Sequence, residues 1–301
     1  MRAPAWIAVA ALALLGGCAN YKAVAEFGTE SQKLSGTVSG EFGQLETVCR
    51  QLAELRMVTD NIADDAPASP VKRCDSFAQA QGRLAQVTTE VLDSYGRALL
   101  ALADGRALDL SSDIRSTTAK LGSLKTSGGS ALVDAKQVGA ISSILVLLAD
   151  VVTQAKREEG VRRLAAAKPD IVTNAQLMRS FFERPSSSAS MAKAPYENYV
   201  FLLSERLADA QSALTETPVA KAEPLRSREL ARGLRPTEAM IKQRQAGTDG
   251  GTGAKIVAAI DAWIKAADTF ERDALRPDPQ QLYEQLKDLR GKVIDARDSL
   301  R

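Results

Sequence analysis

Between Ala23 and Ile62, apolar residues return every three or four positions: Val24, Phe27, Leu34, Val38, Phe42, Leu45, Val48, Leu52 and Leu55. That spacing gathers them on one face of an α-helix, whereas a strand would scatter them over both of its faces. The same period runs from Cys74 to Asp104 through Phe77, Leu84, Val87, Val91, Tyr95, Leu99 and Leu102. Strand-like alternation is hard to find, and aromatic residues make up only 5% of the chain. A chain patterned in this way buries its stripes helix on helix. The expected fold is therefore all-α: an elongated antiparallel bundle with a long N-terminal helical hairpin.

Punctuation divides the pattern further. "DDAPASP", residues 64 to 70, breaks the first pair of helices with two prolines, and Gly105 is placed to cap the second. A short helix is expected over about 111–125, beginning at Ser111 or Ser112. The most apolar segment, containing "VGAISSILVLLADVV", reads as one helix over about 131–167 and as the buried centre of the bundle. Helices are expected from Pro169 to about Glu183, at 196–215, at 219–245 with a break near Pro236, at 253–275 and at 279–300. For the last, Asp278 is the expected N-cap, with Pro279 in the first turn. Gly36, Gly40 and Gly43 fall opposite the apolar stripe of the first helix. Each costs about 1 kcal/mol relative to alanine, which points to a frayed or hinged tether; a second packing face of small residues is the competing account.

The chain opens with one positive charge, Arg2, and an apolar run from Ala5 to Leu15. About eleven residues are too few to span a bilayer, which takes roughly twenty, and they have the build of a secretory signal peptide. The run ends in Leu15-Gly16-Gly17-Cys18, which resembles the lipobox of bacterial lipoproteins. The resemblance covers these first residues only. It implies cleavage before Cys18, a diacylglyceryl thioether on that cysteine and an acylated new N-terminus. Two or three chains anchor stably, since each buried methylene contributes about 0.8 kcal/mol. Ala19, where retained lipoproteins carry Asp, implies the outer membrane facing the periplasm. The organisation expected from all this is a signal peptide at 1–17, a lipidated tether and helix start at 18–43, a main bundle at 44–217, and C-terminal helices at 218–301 packed on the same bundle.

Composition excludes more than it selects. The chain contains no histidine, which removes Ser-His and Cys-His nucleophiles, the zincin helix and every His-ligated metal. A formal charge of +2 gives no electrostatic case for nucleic acid, and no metal, cofactor or nucleic-acid partner is expected. In an oxidising compartment Cys49 and Cys74 are expected to form a disulfide, with free buried thiols as the alternative. "GTDGGTGAK", residues 247 to 255, lacks the Gly-Lys-Ser/Thr order of a phosphate loop, because Ala254 separates Gly253 from Lys255. The spacings Ser69 to Lys72 and Ser190 to Lys193 match a serine–lysine pair, but they fall in or beside loops, where spacing guarantees no contact.

One charge pattern remains. Arg228, Arg232 and Arg235 are placed on one helix face, with Leu230 and Leu234 pointing away, and form a candidate surface for an anionic partner or lipid. The expected function is that of a lipid-anchored periplasmic adaptor, scaffold or inhibitor. Its expected partners are the membrane, through Cys18, and an envelope protein. The alternative is an envelope enzyme acting on peptidoglycan through carboxylates, which would need a shifted Asp or Glu in a cleft.

Overall fold

The computed structural model describes residues 21–60, 69–77, 82–122, 133–154, 156–183, 195–245 and 251–301. Every regular element among them is a helix, and none of these helices is long and apolar enough to cross a membrane. In chain order they are α1 (Tyr21–Asp60), α2 (Pro70–Phe77), α3 (Arg83–Asp104), α4 (Ser111–Gly122), α5 (Ala135–Gln154), α6 (Arg157–Ala166), α7 (Lys168–Ser180), α8 (Pro195–Glu216), α9 (Pro218–Ala222), α10 (Pro224–Gly233), α11 (Arg235–Gln245), α12 (Thr252–Asp273) and α13 (Gln280–Asp298).

The spine is α1, whose 40 residues rise about 60 Å at about 1.5 Å each. Val24, Phe27, Leu34, Val38, Leu45, Val48 and Leu52 are buried along it, as the period requires. Its hairpin partner is α3, and the pairing is antiparallel: Gly28 lies against Gly96, and the Ser35 hydroxyl donates to the Thr89 carbonyl at 2.8 Å. The glycines set the separation. A Cβ on Gly28 would stand 2.7 Å from the Gly96 carbonyl oxygen, and one on Gly96 would stand 2.6 Å from that of Gly28. Gly105 then ends α3 in the left-handed region at φ 67°, its N–H returning to the carbonyls of Ala101 and Leu102.

The C-terminal pair α12 and α13 packs on the first half of α1. Phe27 contacts Trp263 and Phe270 at ring separations of 5.4 and 4.7 Å, and Tyr95 joins from α3 at 6.4 Å. The Trp263 indole donates to Ser31 Oγ at 2.8 Å, which satisfies the one polar group a buried tryptophan carries. Arg290 of α13 reaches buried Glu30 at 3.0 Å.

Further along α1 the ties are of another kind. Cys49 and Cys74 are bonded, with Cα atoms 5.9 Å apart, so α2 is stapled to α1. Buried Arg244 grips buried Glu41 with two hydrogen bonds, 2.7 and 2.8 Å, and Tyr196 donates to the same carboxylate at 2.8 Å.

Several sequence expectations need correction. The stretch through Gly36, Gly40 and Gly43 is neither frayed nor hinged: α1 is continuous, and it is packed into the core from Ala23 onward. Buried contacts on its other face hold the helix against the local cost of glycine. The expected helix 131–167 is two, α5 and α6, and α5 is no central helix: Val146 is 70% exposed. An apolar composition did not mean burial all round. The stretch 74–104 is likewise divided between α2 and α3. The segment 219–245 is three helices, each with a proline in its first turn (Pro218, Pro224 and Pro236), where the missing N–H costs no intrahelical bond. Pro279, not Asp278, is the N-cap of α13, and Asp278 instead accepts from Gln280 Nε2 at 3.2 Å.

Candidate functional site

Cys18 lies outside the described residues, as does the whole Leu15-Gly16-Gly17 sequence before it. The described chain begins at Tyr21, where helix α1 also begins. Three residues reach at most about 10 Å, so a group on Cys18 stays close to this end of α1. Arg157 closes that end: its guanidinium lies 3.5 Å from the centre of the Tyr21 ring and its Nε donates to the Leu102 carbonyl at 2.8 Å.

The candidate arginine surface is at the opposite end. Alongside α1 runs α8, in the same direction, with Tyr196 at Glu41 and Asp209 at Arg56. In α11 the chain returns, with Glu238 beside Gln211 and Arg244 back at Glu41. Between these two legs, α9 touches α1 and α10 packs on α8, which meets α1 at Arg56, about 50 Å along that helix from Tyr21 at about 1.5 Å per residue.

No residue of α10 is buried. Leu225, Arg228 and Arg232 are spaced i, i+3 and i+7 and share its outer face, and Leu225 is 75% exposed. Neither Arg228 nor Arg232 makes a hydrogen bond or ion pair with another described residue, whereas Arg226 pairs with Glu223 at 3.3 Å. Arg235 does not share this helix. The chain breaks at Leu234, and Arg235 opens α11, where it lies near Glu238. Glu238 itself is held below the usual carboxylate range, first by the hydrogen bond from Lys242. Leu234 faces inward as expected, packed against the core, and Leu230 is partly exposed. Val58 at the end of α1, 60% exposed, and Val219 on α9 add apolar surface to this end. Sequence reasoning found the arginines but missed Leu225, whose i, i+3, i+7 relation to two of them was readable.

The carboxylate alternative can be tested against geometry. A cleft between α1, α3 and α4 carries Glu90, Asp93 and Asp113 on its walls. Burial pushes the Asp93 carboxyl above its ordinary range, while Arg97 opposes the shift. Glu90 is engaged by Lys120 and by Thr117, and Asp113 by Arg97. A two-carboxylate glycosidase needs a second acid free to act opposite the first, and neither neighbour is free. Among the described residues no group of three or more Asp, Glu, Cys or His is arranged to hold a metal.

Of the remaining motifs, the described ones have structural roles. Ser69 is buried with its hydroxyl on Met57 Sδ at 3.5 Å, and Ser190 and Lys193 lie outside the described residues. The second half of "GTDGGTGAK" forms the first turn of α12, where Gly253 leaves room for the Tyr196 ring, 3.0 Å from where a Cβ would stand. No protein-family model matches this chain, and no curated protein or solved structure shows significant similarity to it.

Proposed function

We propose that this chain is a lipid-anchored helical protein of the bacterial envelope that acts by binding another protein, as an adaptor or scaffold. One observation carries the reading. Helix α10 has no buried residue and exposes Leu225 beside the unpaired Arg228 and Arg232; it packs on α8, which meets α1 at Arg56, about 50 Å along that helix from Tyr21. An apolar side chain flanked by free guanidinium groups suits an acidic protein surface, where arginine is a preferred contact residue. Separating anchor from docking face lets such a protein reach away from the bilayer that holds it. A peptidoglycan-acting enzyme is the second reading, favoured by the raised carboxyl of Asp93 and disfavoured by the engagement of both neighbouring acids.

Two experiments test the two halves separately. Cys18→Ala should leave the precursor uncleaved and without acyl label; normal lipid labelling of that variant refutes the anchor. A photo-crosslinker at position 225 should join the chain to one envelope protein, and Arg228→Gln with Arg232→Gln should abolish that product while leaving thermal stability nearly unchanged. Crosslinking to lipid, or to nothing, refutes the docking face.

A further inference from the structure

We propose that the cleft between α1, α3 and α4 binds a small molecule through its ammonium group. The cleft holds about 340 Å³, at the small end of the roughly 300–1,000 Å³ typical of ligand sites. Gly36 and Ser39 of α1 form its floor, Asp93 and Ser94 of α3 one wall, and Ser116 of α4 the other. The space over Gly36 is open: a Cβ there would meet nothing within 4 Å.

The charges around the cleft do not cancel. Lys120 is bonded to Glu90, and Arg97 to Asp113 at 2.5 Å, which leaves Asp93 with no hydrogen bond or ion pair to any described residue. The hydroxyls of Ser39, Ser94 and Ser116 are likewise uncommitted among the described residues. A half-buried carboxylate attracts a cation more strongly than one in open water, because the effective dielectric constant around it is lower. Its ordinary partner would be a nearby lysine or arginine, and here both candidates are held elsewhere. Burial drives the Asp93 carboxyl up, Arg97 pulls against the shift and Asp113 adds to it.

The shape of the donor set narrows the ligand. Among the described residues no aromatic lines the cleft, so the apolar face of a sugar ring would find no platform there to stack on. No third ligating group joins to make a metal site among the described residues. One ammonium held on Asp93, with a neighbouring hydroxyl or carbonyl bonded to the serines, uses every free group. That ligand is an amino alcohol or the ammonium end of a larger polar molecule.

The test titrates the purified full chain with ethanolamine and, separately, with ethylene glycol, its uncharged counterpart, while following backbone amide resonances. Ethanolamine should move the signals of Ser39, Asp93 and Ser94, and ethylene glycol should bind at least about tenfold more weakly. Asp93→Asn should erase that preference. Gly36→Leu should block the cleft with Asp93 intact, and it serves if Asp93→Asn fails to fold. A short-chain phosphatidylethanolamine binding more tightly than ethanolamine would place the ammonium on a lipid headgroup; equal binding would place it on a free amine. Equal shifts with ethylene glycol, no shift with ethanolamine, or shifts that survive both variants would overturn the proposal.

Discussion

Divided at Gly36 rather than at its midpoint, α1 has two parts, here its first and second halves, that share one helical geometry and are held in place by different physics. In the first half, Gly28 is pressed against Gly96, and Phe27 sits in a cluster with Tyr95, Trp263 and Phe270. In the second half, Gly36, Gly40 and Gly43 face open space, and to the packing of Val38, Leu45 and Leu52 are added the Cys49–Cys74 bond and the grip of Arg244 on Glu41. Close packing is non-directional and spread over many atoms. A disulfide and a buried ion pair are single ties. One half should therefore decline gradually as contacts are trimmed, and the other should fail at identifiable points.

The largest effect is expected at the ion pair. Arg244→Ala leaves Glu41 charged and buried without its main partner, a change that costs about 3–5 kcal/mol, read as a fall in the urea midpoint. The paired replacement Glu41→Leu with Arg244→Met should recover most of that loss, because it removes the stranded charge. If the single and paired variants are equally unstable, packing and not charge governs this site.

Reduction comes next. Opening the Cys49–Cys74 loop should cost roughly 3 kcal/mol, and hydrogen exchange should show it mostly in α2 and the second half of α1. An equal loosening around Phe27 and Trp263 would mean that the two halves unfold as one unit.

Glycine substitutions should differ in sign along the same helix. Gly28→Ala forces α1 and α3 apart and should destabilise by about 1–3 kcal/mol. Gly40→Ala meets no atom within 4 Å and should stabilise by up to about 1 kcal/mol through helix propensity. Matching signs would erase the contrast between the halves.

Alkaline titration gives an effect that is absent near neutral pH. Burial raises the hydroxyl pKa of Tyr95, on α3 beside the first half, and of Tyr196 and Tyr199, on α8 beside the second, above an ordinary 10.0; Glu41 adds to the rise at Tyr196. A raised folded value means that the unfolded chain gives up its protons first. The stability these groups contribute is intact below pH 10 and is lost as pH climbs beyond it, by up to about 1.4 kcal/mol per pH unit for each tyrosine. Tyrosinate absorbance should show these three ionising only with unfolding.

These contrasts also mark what the sequence could reveal. Period and punctuation gave the all-α class, the course of α1 and α3, the Gly105 cap and the pairing of Cys49 with Cys74, because each is written in local spacing or in residue type. Gly28 was legible in principle: it falls inside the apolar stripe, where a glycine argues close approach, unlike Gly36 outside it. The break between α5 and α6 was not, since apolar content carries no mark of where a helix turns. The cleft was illegible for a different reason. Asp93 is one carboxylate among many, and only the meeting of α1, α3 and α4, with Glu90 and Asp113 already engaged, sets it apart.

The partners of α1 also impose an order in time. Ser31 waits for Trp263, 232 residues later; Glu41 waits for Arg244, 203 residues later; and Glu30 waits for Arg290, 260 residues later. At about 5–20 residues per second, a ribosome takes on the order of ten to fifty seconds to supply them. Throughout that interval the near partners of α1 are already on hand: Gly96 for Gly28, Thr89 for Ser35 and Cys74 for Cys49. The hairpin of α1 and α3 can therefore form on a partial chain, while the acids at Glu30 and Glu41 keep their water until the last helices arrive to enclose them.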